Sequence, residues 1–136
     1  MSGSLSEEDV AALRHELRTC LNQARGYCEL IIDELGGEVT EAVAGRLDLI
    51  MRRSDELLTL VSGCLGEGAG VSVADLARLA DSGRLACGDI RDAVAELKVS
   101  LGNGRHAAED VLKIGLAIGR WRTALDQRVK SSGDGC

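Results

Sequence analysis

Two long stretches of this chain repeat apolar residues in steps of three and four, and that rhythm constrains the fold more than any other feature. In the first, Val10, Leu13, Leu17, Cys20, Ala24, Tyr27 and Ile31 form one seam. In the second, Val43, Leu47, Ile50, Ser54, Leu57, Val61 and Cys64 repeat the pattern. A seam of this kind belongs to a helix that buries one stripe against other helices. The spacing predicts one helix from about Ser6 to Leu35 and another from about Thr40 to Cys64 or Leu65. Ser6 is placed to cap the first, with Glu7, Glu8 and Asp9 following where acids suit the helix dipole. Gly36-Gly37 interrupts the pattern. The short loop across residues 36–39 makes the two helices an antiparallel hairpin.

The rest of the chain supports an all-α fold. Its 136 residues suit one domain, and they include no Pro, no Phe, one Tyr and one Trp. Leu, Ile, Val and Ala must therefore fill the core, and helices accept such a composition readily. Glycines punctuate the second half at 63, 66, 68 and 70, at 83 and 88, and in Gly102-Asn103-Gly104. Between them, Val73 to Leu79 suggests a short helix. Ile90, Val94, Leu97 and Leu101 mark another. Val111, Gly115, Ile118, Leu125 and Val129 mark a third, with Trp121 near the same face. Gly115 and Gly119 are spaced for close helix contact, a weak signal outside membranes. No strand-like alternation, GxGxxG or Walker pattern is present.

The expected organisation is a hairpin over residues 6–65, a helical region of unassigned role over 66–130 and a frayed tail over 131–136. Two helices cannot bury a seam alone, so a four-helix bundle needs a second pair. Because both seams are strict heptads, a second copy is expected to supply it as a homodimer. The chain's own C-terminal helices are the alternative source.

Charge and cysteine usage narrow the function. A formal charge of −6 argues against a nucleic-acid binder. No apolar run approaches the roughly 18–20 residues needed to span a bilayer, so no membrane span is expected. The N-terminal MSGSLSEEDV lacks a basic flank and an apolar region, so no secretory leader is expected and a cytoplasmic location is. Five cysteines without a CxxC suggest reduced thiols and no zinc site. His106, Glu109 and Asp110 sit at helical spacing, and a solvated face is the expected reading. No metal is called for.

The stretch LRHELRTCLNQARGYCELI, Leu13 to Ile31, carries the chemistry. With Val10 at heptad position a, His15 falls at f, opposite the seam and toward water. At roughly 100° per residue, Ala11, Thr19 and Asn22 lie within about 40° of it, and Ala12 about 60° away. These small neighbours cannot cover the ring, so a large partner can approach it. Imidazole is a good neutral nucleophile near pH 7 and suits attack on a phosphoryl group. The adjacent Glu16 can orient the ring or take its proton. A hydroxyl at Thr19, one turn on, can position a water for the reverse chore of hydrolysis.

His15-Glu16-Leu17-Arg18-Thr19, followed by Gly26-Tyr27-Cys28-Glu29-Leu30, resembles the H-box of the dimerisation and histidine phosphotransfer domain of bacterial sensor histidine kinases. The stretch from Asp48 to Val61 resembles that family's second helix. The resemblance covers about Ser6 to Leu65. It implies that His15 is the phosphoacceptor, Glu16 its catalytic neighbour and Thr19 the phosphatase-assisting residue. It also implies a two-component phosphorelay in which a receiver domain or a histidine kinase docks near Ala11, Ala12, Arg18, Asn22 and Arg25. The alternative is a scaffold of the same shape with an idle histidine, regulating another signalling output.

Two departures qualify the likeness. Cys20 stands where the family usually has proline, so the bend proline makes past the histidine is not expected, and kinase-type activity is put in question. Residues 66–136 are too few for an ATP-binding domain, and Asn103 in its glycine turn does not substitute for that domain's Asn-bearing helix. No cofactor is therefore expected in this chain. The phosphoryl group would sit on His15, and ATP with Mg would act only through a partner kinase domain. Either the hairpin was cut from a longer protein or it works without one.

Overall fold

The computed structural model of the chain describes residues 5–66, 70–102 and 106–133. Five α-helices follow one another: α1 (Glu7–Leu35), α2 (Glu41–Cys64), α3 (Val73–Ser82), α4 (Arg84–Leu101) and α5 (His106–Gly133). No strand forms among the described residues, and the fold is all-α. Residues 103–105, with the expected Asn103 turn, lie outside the described residues, as do Gly68 and Cys136. Helix α5 runs through Gly133, into the stretch expected to be a frayed tail.

The helix starts follow from their capping residues. Ser6 Oγ accepts from the Asp9 amide at 3.1 Å, and Thr40 Oγ1 accepts from the Val43 amide at 3.2 Å. Ser72 and Asp75 satisfy each other's amides in a full capping box. At the hairpin turn Gly36 adopts φ +52°, a left-handed conformation that side chains resist, and its amide closes α1 on the Ile32 carbonyl. One turn of 3-10 helix, Gly36–Glu38, completes the loop.

The α2 seam is buried as its rhythm predicts: Val43, Leu47, Ile50, Ser54, Leu57 and Val61. It ends on Leu65, with Cys64 only half-buried. The α1 seam drifts. Val10, Leu13, Leu17, Cys20 and Ala24 are buried, but the row then continues through Cys28, Ile31 and Leu35, and Leu21 joins it. Tyr27, expected in the seam, is half-buried at its edge. Two successive steps of four residues at 20–24–28 reset the phase toward a straight helix of 3.6 residues per turn.

The reason for the broad α1 face is its double contact. Helix α1 packs against both α2 and α5, α2 against α4, and α4 against α5. These four helices form a closed ring around one core. The seams expected to meet a second copy are thus covered by α4 and α5 of the same chain. Helix α3 caps the ring by packing on α5 and α2. It meets α4 at Gly83, where an added Cβ would lie 2.9 Å from both Leu57 and Trp121. No helix among the described residues is long and apolar enough to cross a membrane.

Candidate functional site

The sequence of α1 dictates three longitudinal strips. Its buried strip fills the core. A second strip faces α2, where Arg14 donates to the Leu65 carbonyl at 2.7 Å, Arg18 donates to Ser62 Oγ at 3.1 Å, and Arg25 pairs with Asp55 at 3.1 Å. A third faces α5: Asp9 pairs with Arg128 at 3.7 Å, Gln23 Oε1 accepts from Arg120 at 3.1 Å, and the Tyr27 ring lies 5.6 Å beneath Lys113. The outer ridge between the second and third strips is left to solvent.

His15 stands on that ridge and is exposed. So are Ala11, Ala12, Thr19 and Asn22 around it, and Glu16 beside it on the α5 side. The structure therefore brings together the residues the helical wheel grouped. Arg18 and Arg25 are different: each is half-buried and tied to α2, so both stiffen the hairpin under the ridge. His15 is a single nucleophile with two open ring nitrogens, a carboxylate at the next position and no bulky neighbour on its own helix face. Such a surface can present imidazole to a phosphoryl group held by a macromolecule.

Helix α1 is unbroken through Cys20, consistent with the absence of proline there. The Cys20 thiol is a core group. Burial raises its pKa, partly offset by the nearby Arg120 guanidinium. It is not poised as a thiolate and serves as packing behind the histidine. His106 lies at the start of α5, exposed and 4.0 Å from Glu109. Among the described residues no three His, Cys, Asp or Glu side chains converge as a metal site.

Residues 7–65 match the model of the His Kinase A (phospho-acceptor) domain. The α1–α2 hairpin is a domain of this type. Its phospho-acceptor character is that of a module of two-component systems, and His15 is the histidine its first helix exposes. None of the curated proteins and none of the solved structures compared with the chain matches it.

Sequence reasoning missed the α5 side of the His15 ridge. A groove of about 340 Å³ runs between α1 and α5, with Glu16 on one wall and Leu116, Arg120, Thr123 and Gln127 on the other. The signal in the sequence was Arg120 interrupting the apolar run of α5. Which helix that arginine would meet was not written there.

Proposed function

We propose that this protein is a phosphotransfer module in which His15 exchanges a phosphoryl group with the aspartate of a receiver domain in a bacterial, cytoplasmic two-component relay. The single observation that carries the reading is the exposed imidazole on the outer ridge of a HisKA hairpin, among side chains too small to shield it. In the forward step a ring nitrogen of His15 attacks the phosphorus of an aspartyl phosphate. The N–P bond forms as the P–O bond to the carboxylate breaks, and the aspartate leaves with the electron pair. Glu16, adjacent and exposed, serves the other ring nitrogen by accepting its N–H bond as positive charge develops. Thr19 is the group for holding a water in the hydrolytic direction.

The closed ring of four helices supports a monomer as the working unit, since α4 and α5 already cover the hairpin seam. ATP and Mg enter this reading only through a separate kinase. The test is direct. Incubation with phosphorylated receivers, or with a histidine kinase and ATP, should give acid-labile, base-stable phosphate on the wild-type protein and none on His15→Ala. A folded wild type that takes no label from several such donors would leave the idle scaffold as the better account.

A further inference from the structure

We propose that the α1–α5 groove, not the α1–α2 groove, is where the receiver domain docks, with exposed Leu116 as the apolar anchor and Arg120 facing an acidic rim on that partner. The proposal rests on His15 being the phosphoacceptor and adds the surface that selects its partner.

Position is the first argument. The groove wall on α1 is Glu16, the residue after His15. Along α5, Leu116 falls between Arg120, bonded to Gln23, and Lys113, stacked on Tyr27. That places it about 15 Å along α1 from His15 at 1.5 Å per residue. One docked helix of a few turns covers both points.

Shape is the second. Leu116 is 64% exposed and Leu112, one turn away on the same face, 51%. Gly119 lies one turn beyond Leu116, and a Cβ built on it meets nothing within 4 Å. An exposed leucine pair beside an open recess suits an apolar helix face. The α1–α2 side offers no such place near His15. Arg14, Arg18 and Arg25 bridge it, and the exposed Ile32 lies about 25 Å down the helix from His15.

Charge is the third. Elsewhere the surface arginines pair with carboxylates: Arg25 with Asp55, Arg46 with Glu96, Arg52 with Asp48, Arg53 with Asp89 and Arg128 with Asp9. Arg18 and Arg120, on either side of the His15 ridge, are instead held by the neutral acceptors Ser62 and Gln23. Across the α5 face, Arg91 and Arg122 line the neighbouring groove, and among the described residues neither pairs with a carboxylate. Arg120, Arg91 and Arg122 thus place cations without a carboxylate partner along the α5 side of the chain, among the described residues. That side complements an acidic surface on a partner.

The experiment separates docking from chemistry. Phosphoramidate, a small donor that needs no docking surface, labels His15 directly, and a panel of receiver domains phosphorylated with acetyl phosphate tests the protein-mediated route. Leu116→Asp and Arg120→Glu should each slow receiver-to-His15 transfer about tenfold at subsaturating receiver. Phosphoramidate labelling should stay at the wild-type rate, and the distant control Val99→Asp should transfer normally. Raised salt should slow wild-type transfer and leave Arg120→Glu less affected. Unchanged transfer in both groove variants overturns the docking site, as does a loss seen only on placing a charge at Ser62 in the α1–α2 groove. Labelling by phosphoramidate with no receiver competent also overturns it. If neither phosphoramidate nor any receiver labels wild-type His15, the phosphoacceptor reading itself falls.

Discussion

At the scale of single residues, the buried thiols make a pH-dependent contribution that can be signed. Burial raises the Cys28 pKa to about 12 and the Cys87 pKa to about 11, against 9.0 for an ordinary thiol. A raised pKa means the unfolded chain releases these protons first as the medium turns alkaline. Their contribution is therefore complete below pH 9 and disappears as pH rises toward 11–12. The urea midpoint should fall across this range, and Cys28→Ala, though less stable at pH 8, should show the shallower fall. Gly83 provides a second case. The sequence presents it as punctuation between helices, and its φ of −86° needs no glycine. Its role is spatial, because an added methyl would press on Leu57 and Trp121 at 2.9 Å. Gly83→Ala should cost about 1–3 kcal/mol by overpacking, read by urea unfolding, and should shift the emission of the single tryptophan.

At the scale of elements, α1 was the most legible part of the chain and also the place where the reading slipped. Its start at Ser6, its end at Leu35 and the outward His15 all followed from local rules, since capping and helical period depend on near neighbours. The seam beyond Ala24 did not follow, because Tyr27 and Cys28 are both able to enter a core and the placement of two neighbouring helices chose Cys28. Cys20 belongs to this scale as well. Introducing proline there would remove an amide hydrogen bond and push against the Glu16 carbonyl in a helix held on two sides. Cys20→Pro should therefore lower stability by about 3 kcal/mol, measured by chemical denaturation. A helix free to bend on one side would absorb the change more cheaply.

At the scale of the whole molecule, the deciding fact is the closed ring. The full chain should scatter light as a species of about 14.3 kDa. A fragment ending at Gly66 loses α4 and α5 and exposes both seams. Its helicity, followed by circular dichroism at 222 nm, should be low when dilute and rise with concentration as hairpins associate. A full chain of twice that mass, or a fragment helical at every concentration, would show that the C-terminal helices are not what completes the core. A heptad seam records that helices must be met, not whose helices meet it, and within this chain α4 and α5 meet both seams.

By itself the sequence determined which residues form helices, which face of each is apolar, and that His15 lies opposite the first seam. These are consequences of period and of side-chain chemistry within a turn or two. Only the tertiary structure decided that α5 lies along α1, so that Arg120 and Leu116 share a groove with Glu16. That pairing joins residues about a hundred positions apart, and nothing local in either helix encodes the other. It emerges from the packing of four apolar faces around one core, with α3 closing the end.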